Sequence, residues 1–150
     1  MVRSSSATTP TWRRARAVPE WQTTLDALQE LPEIGAEGPV DYFGLNMGTA
    51  IRVPLAAVEP RVAAAVFGVF WHESLAETAR RITIPVEFVL PWDDEHIPRE
   101  SGLALFDAFA PKEKTLHANV GKHKELPRFE ADSAVHFFAR HFGRAVASAA

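Results

Sequence analysis

Three positions in this sequence carry side chains suited to chemistry, and each follows an apolar stretch. Asn46 sits in Gly44-Leu45-Asn46-Met47-Gly48, directly after Val40-Asp41-Tyr42-Phe43. Asp93 and Asp94 follow the run Ile84–Trp92, and His123 follows Lys114–Val120. A histidine paired with a carboxylate is a ready general base, because the acid fixes the imidazole tautomer. His123 with Asp94 is either such a pair or a surface histidine and a loop carboxylate. Asn46 has no comparable reactivity: its amide is neutral, and a histidine cannot activate it as it would a hydroxyl. It is either a turn residue, since asparagine tolerates unusual backbone angles, or a hydrogen-bond donor to a ligand carbonyl. Trp71, His72 and Trp92 also follow apolar runs and are candidate walls of a ligand pocket; the alternatives are core packing for the tryptophans and a structural role for His72. Oxygen and imidazole ligands in Asp93-Asp94-Glu95-His96 suit divalent ions. Four adjacent residues cannot converge on one ion, so no metal site and no cofactor is expected.

Strands and helices must place these groups. Trp21, Leu25, Leu28 and Leu31 mark one face of an amphipathic helix, which Pro19 can open and Pro32 ends. "PVDYFGL" reads as a strand, "GTAIRVPLAAVEP" as a helix kinked at Pro54, and "RVAAAVFGVF" and "IPVEFVLPW" as strands buried on both faces. "RESGLALFDAFA" is a helix with Leu103, Phe106 and either Phe109 or Leu105 inward, and "KTLHANV" is a fourth strand. In the last helix Phe129, Val135, Phe138 and Phe142 are the expected apolar face, His136 and His141 face solvent, and Gly143 is a natural stop. Strands alternating with helices predict an α/β fold: a short parallel sheet of about four strands with helices on both faces. In such sheets ligands bind at the carboxyl ends of the strands, where the candidate residues lie.

Composition sets the remaining bounds. The chain has 150 residues, a formal net charge of −3 and no cysteine. That excludes disulfides, thiolate metal sites and a cysteine nucleophile. The charge balance argues against nucleic acid and anionic membranes as partners. Residues 1–18, with Arg3, Arg13, Arg14 and Arg16 and many Ser and Thr, have no apolar segment of a secretory signal and are expected to be a disordered basic tail. Residues 19–143 are expected to form the domain and 144–150 a frayed end. The expected location is cytoplasmic.

The motifs together resemble the α/β-hydrolase superfamily. "GLNMG" after a strand looks like a G-x-S-x-G nucleophile elbow with asparagine in place of serine. "WDDEHIP" looks like the acid loop and "GKH" before the last helix like the histidine loop, in the family's chain order. "PVEFVLPWDDEHIPRESGLALFDAF" and "HANVGKHKELPRFE" are similar to the dienelactone-hydrolase-like branch, over roughly residues 20–142. The resemblance implies that Asn46 holds the nucleophile position, Asp94 (with Asp93 second) the acid and His123 the base, and that the backbone N–H of Met47 serves the oxyanion hole. It also implies about eight strands, several of them before the elbow. Here the Arg/Ser-rich segment and one helix stand there instead, so the domain reads as a truncated α/β-hydrolase. The implied ligand is a small ester or lactone, with hydrolysis impaired by Asn46. Two alternatives stay open: a non-hydrolytic catalyst (cyclase, isomerase or lyase) using His123 and Asp94 for proton transfer, and a non-enzymatic binding or assembly module. The strand at Val40–Leu45 becomes an apolar edge with Asp41 as its only charge, so self-association there is expected.

Overall fold

The computed structural model describes residues 11–35 and 38–149, with side chains for 16–35 and 38–142. The chain runs α1 (Thr11–Gln29), β1 (Val40–Phe43), α2 (Met47–Ala56), β2 (Val62–Gly68), a 3-10 turn (His72–Ser74), α3 (Ala76–Ala79), β3 (Val86–Pro91), α4 (Arg99–Ala108), β4 (Lys114–Asn119) and α5 (Phe129–Ala149). The four strands form one parallel sheet in the order β1-β2-β3-β4.

That order dictates the layering. Sequential parallel strands joined by right-handed crossovers put every connecting helix on one face. Accordingly Ala50 and Val53 of α2, Ala79 of α3 and Leu105 of α4 share one core with Phe67 and Phe88. Phe67 stacks on Phe109 at 5.8 Å. Among the described residues only α5, which follows the last strand, covers the other face, where Ala134 and Phe137 meet Ala64, Val66 and Val89. The central strands are apolar on both sides for this reason: β3 is buried throughout, even at Glu87. Among the described residues no helix is long and apolar enough to cross a membrane.

α1 is tied to the sheet by charge and π contacts. The Arg52 guanidinium of α2 lies 3.2 Å from the Trp21 ring centroid and 4.0 Å from that of Tyr42. Arg61, just before β2, bonds Asp26 at 2.7 Å, Gln29 at 3.0 Å and buried Glu59 at 2.7 Å. Its hydrogen bonds pull the Glu59 carboxyl down to about 2.

Several expectations need correction. α1 starts at Thr11 and carries Pro19 inside it, so residues 11–18 are helical rather than a disordered tail; residues 1–10 lie outside the described ones. The Thr23 and Thr24 hydroxyls donate to the Pro19 and Glu20 carbonyls one turn earlier. Of the expected inner face of α1, Leu25 is buried but Leu28 and Leu31 are exposed. α5 runs through Gly143 to Ala149, so Gly143 does not stop it. Its inward face is Glu130, Ala134, Phe137 and His141, whereas Phe129, Val135 and Phe142 are exposed. The apolar pattern misleads there because the buried face of α5 is partly polar: it lies over Glu87 and His117 and holds Glu130. His141 is 6% exposed and pairs with Glu113 at 3.4 Å, so it does not face solvent; His136 does.

Candidate active site

β1 ends in a sharp turn built on Gly44, Asn46 and Gly48. A Cβ at Gly44 would overlap the Tyr42 ring and hydroxyl, so any larger residue there must displace Tyr42. Asn46 takes φ 53° and ψ −117°, a conformation L-residues seldom adopt, and α2 begins at the next residue. Val69, just past the end of β2, also has a positive φ, 55°. For a β-branched side chain that is a true outlier. Strained backbone of this kind persists where surrounding bonds over-determine it, and it clusters at functional sites.

Thr49 supplies those bonds. Its buried hydroxyl accepts the Gly68 N–H at 3.0 Å and lies 2.7 Å from the Gly68 carbonyl and 2.9 Å from that of Gly44. The Asn46 N–H donates to the same Gly68 carbonyl at 3.0 Å. One side chain thus joins the ends of β1 and β2 to the first turn of α2. Nothing in the sequence pattern marks Thr49, because its role comes from a carbonyl and an N–H contributed by another strand.

Strands β1 and β4 are at opposite edges of the sheet, so His123 must reach back across it to meet Asn46. It does: Asn46 Nδ2 lies 2.9 Å from His123 Nε2. His123 Nδ1 lies 2.8 Å from Asp94 Oδ2, with the two side chains only 9% and 2% exposed. Asp94 is in turn fixed by the backbone N–H groups of His96 and Ile97, which donate to its Oδ1 at 2.8 and 2.9 Å. Of the two adjacent aspartates Asp94 therefore faces the histidine, while Asp93 is half exposed and sits 3.6 Å from Arg99. The loop around His123 is held from the acid loop as well. Glu95 accepts the His123 backbone N–H at 2.9 Å, which holds the Glu95 carboxyl below the usual carboxylate range. The His96 ring meets His123 edge-on at 5.0 Å. Glu95 and His96 thus hold His123 in place, contacts that sequence spacing does not disclose.

This network defines the proton positions. With Nδ1–H donating to the Asp94 carboxylate, Nε2 is an acceptor, and the amide of Asn46 donates to it. The arrangement is a base oriented by an acid and aimed at the elbow residue. That residue has no hydroxyl, so it cannot give up a proton to become a nucleophile.

The other candidates are more dispersed. Met47 opens α2 and is 47% exposed. Trp71 is half-buried and packs edge-on against Phe70 at 5.2 Å. His72 starts the 3-10 turn, and its backbone N–H donates to Ser101 Oγ at 2.9 Å. Trp92 is at the surface with the Arg99 guanidinium 4.0 Å over its ring. A cavity of about 310 Å³ lined by Lys112, Lys114, Phe137 and Arg140 touches none of these four residues and lies at the amino end of β4, away from the elbow.

Solved structures share this arrangement of elements. A cold-adapted esterase from an Arctic intertidal metagenomic library superimposes with a TM-score of 0.79 and 33% identity, over 86% of this chain and 56% of that one. Acetyl xylan esterase 1 from Thermoanaerobacterium sp. gives 0.70 at 16% identity, covering 86% and 52%. The monoacylglycerol lipase of Paleococcus ferrophilus gives 0.64 at 16%, covering 83% and 76%. The fold is that of the α/β-hydrolases. At 16% identity the likeness to the last two is one of fold alone. No family model matches the sequence, and no curated protein does. The chain spans little more than half the length of the Arctic esterase. Within this α/β-hydrolase fold, Asn46 stands at the turn between β1 and α2, Asp94 follows β3 and His123 follows β4.

Proposed function

We propose that this domain binds a small ester or lactone at the carboxyl end of its sheet and does not hydrolyse it through a covalent intermediate. The observation that carries this is the 2.9 Å contact between Asn46 Nδ2 and His123 Nε2. The base nitrogen that would activate a nucleophile is occupied by an amide donor. Asn46 Nδ2 carries two hydrogens; one satisfies His123 and the second can donate to a ligand carbonyl. Backbone N–H groups at the start of α2, beginning with Met47, add positive field at the same point. The likeness to esterases supports a carbonyl-bearing ligand, and a dienelactone-hydrolase-like subclass fits the sequence of the acid and histidine loops. Two measurements test it together: turnover of p-nitrophenyl acetate, and an NMR titration with the same ester or its acid product. Binding that shifts the Asn46 side-chain amide without turnover supports the reading; turnover lost in His123→Ala refutes it.

A second reading has its own observation. Asp94 and His123 are an intact, nearly sealed pair, competent for proton transfer in a non-hydrolytic reaction if a substrate displaces the Asn46 amide from Nε2. We also infer self-association at β1, which is one edge of the sheet and has Phe43 and Met47 exposed beside it.

A further inference from the structure

The face of the sheet under α5 holds a second group of ionisable side chains, separate from the elbow. Glu87 is the second residue of β3, His117 lies on β4 and Glu130 in the first turn of α5. Ligand-capable atoms of the three lie within 4.8 Å of one another. Glu87 and Glu130 are 3% and 6% exposed, and His117 is open to water on one side.

We propose that these residues bind one divalent transition-metal ion with zinc-like preferences, with Glu87 and His117 as ligands and Glu130 as the support of His117. His117 Nδ1 lies 2.8 Å from Glu130 Oε2. With Nδ1–H donating there, the Nε2 lone pair turns toward Glu87. Nε2 is 3.7 Å from Glu87 Oε2, too long for a hydrogen bond. Ligands with zinc bonds of about 2.0–2.2 Å at a tetrahedral angle stand roughly 3.3–3.6 Å apart, so the gap fits an intervening ion with little movement. The second observation is independent: Glu87 Oε1, buried on the same carboxyl, has no hydrogen-bond partner. Buried carboxylate oxygens are costly to leave unpaired.

The support is complete. Glu130 orients the imidazole, and Asn119 Nδ2 donates to the other Glu130 oxygen. A carboxylate holding the far nitrogen of a metal-bound histidine is the usual outer arrangement of such sites. The Arg140 guanidinium on α5 acts on Glu87 electrostatically, but it makes no hydrogen bond to the orphaned oxygen. Water would complete the coordination on the exposed side of His117. Asn119 and Glu130 flank the segment that carries His123, so a bound ion would brace the loop presenting the base.

The test uses the full chain, freed of metal by chelator dialysis and titrated with zinc chloride alone by calorimetry. One zinc per chain is expected. His117→Ala and Glu87→Gln should each weaken binding at least tenfold, and Glu130→Gln by about ten- to a hundredfold. A His96→Ala/His123→Ala double variant should bind as the wild type does. No saturable uptake overturns the proposal, as does uptake that survives both His117→Ala and Glu87→Gln or vanishes in the double variant. Should the buried variants fail to fold, the wild type decides. With 15N-labelled histidine, zinc should shift Nε2 of His117 and leave that of His123 in place; an unshifted His117 overturns the proposal.

Discussion

Asn46 Nδ2 donates to His123 Nε2 across 2.9 Å, and His123 in turn is held by Asp94 at 2.8 Å. The elbow residue comes from one edge strand of the sheet and the base from the loop after the other. Thr49 helps fix the turn that carries the first, and Glu95, with Asp94, the loop that carries the second. The apparatus that orients a base is present, and the group it would activate is an amide.

Replacing the amide with a hydroxyl should recover little. In Asn46→Ser the oxygen sits one bond closer to the backbone than Nδ2, so it falls short of His123. Among the described residues no strand precedes β1 to carry a loop with a second oxyanion donor. Loss of one such donor costs about 10²–10³ in rate. Weak p-nitrophenyl acetate turnover is expected, abolished by a further His123→Ala. Turnover typical of an efficient esterase in the single variant would show that the site lacks only its nucleophile.

Thr49→Val should destabilise the domain. It leaves the buried Gly68 N–H and one carbonyl without a partner, which costs about 1–3 kcal/mol. Thr49→Ser keeps the hydroxyl and should lose clearly less. Urea unfolding of the three proteins measures this, and equal losses in both variants would assign the effect to packing.

Asp41 sets a pH dependence. Burial raises its carboxyl from 3.8 to about 6, and its Oδ1 has no partner. The folded state therefore binds the proton more tightly than the unfolded one. This contribution is fully present below pH 3.8 and is lost as pH rises through about 6. Asp41→Asn lacks it, so the variant should gain on the wild type as pH rises from 4 to 7, by about 1 kcal/mol once screening at the strand edge is allowed for. Urea midpoints at pH 4, 5, 6 and 7 give the answer; a constant difference would place the Asp41 titration elsewhere.

The β1 edge should govern assembly. Sedimentation at micromolar concentration is expected to show a dimer, and Phe43→Lys to shift it toward monomer, since edge charge discourages pairing. A monomeric wild type with slow amide exchange along Val40–Phe43 would mean that the edge is already covered.

Much of this was legible in the residues. Apolar runs such as Val86–Leu90 announce a two-sided parallel strand, and the polar groups just after them sit where such sheets bind ligands. The glycines around Asn46 and the order Asn46, Asp94, His123 mark the meeting point. What sequence conceals is long-range polar contact. α5 buries Glu130 and His141 while exposing Phe129, Val135 and Phe142, because its inner face meets carboxylate and imidazole side chains of β3 and β4. Hydrophobic periodicity assumes an apolar partner and fails there. Thr49 is invisible for the same reason: its partners lie 5 and 19 residues away, on the backbone.

The most direct test compares wild-type chain with His123→Ala for p-nitrophenyl acetate turnover, with fluorophosphonate labelling followed by mass spectrometry. Equal background turnover and no label on any residue of the Gly44–Gly48 turn are expected, because the amide of Asn46 cannot act as a nucleophile. Turnover that depends on His123, or a phosphonylated residue at or beside the elbow, would contradict a site built to bind without covalent hydrolysis.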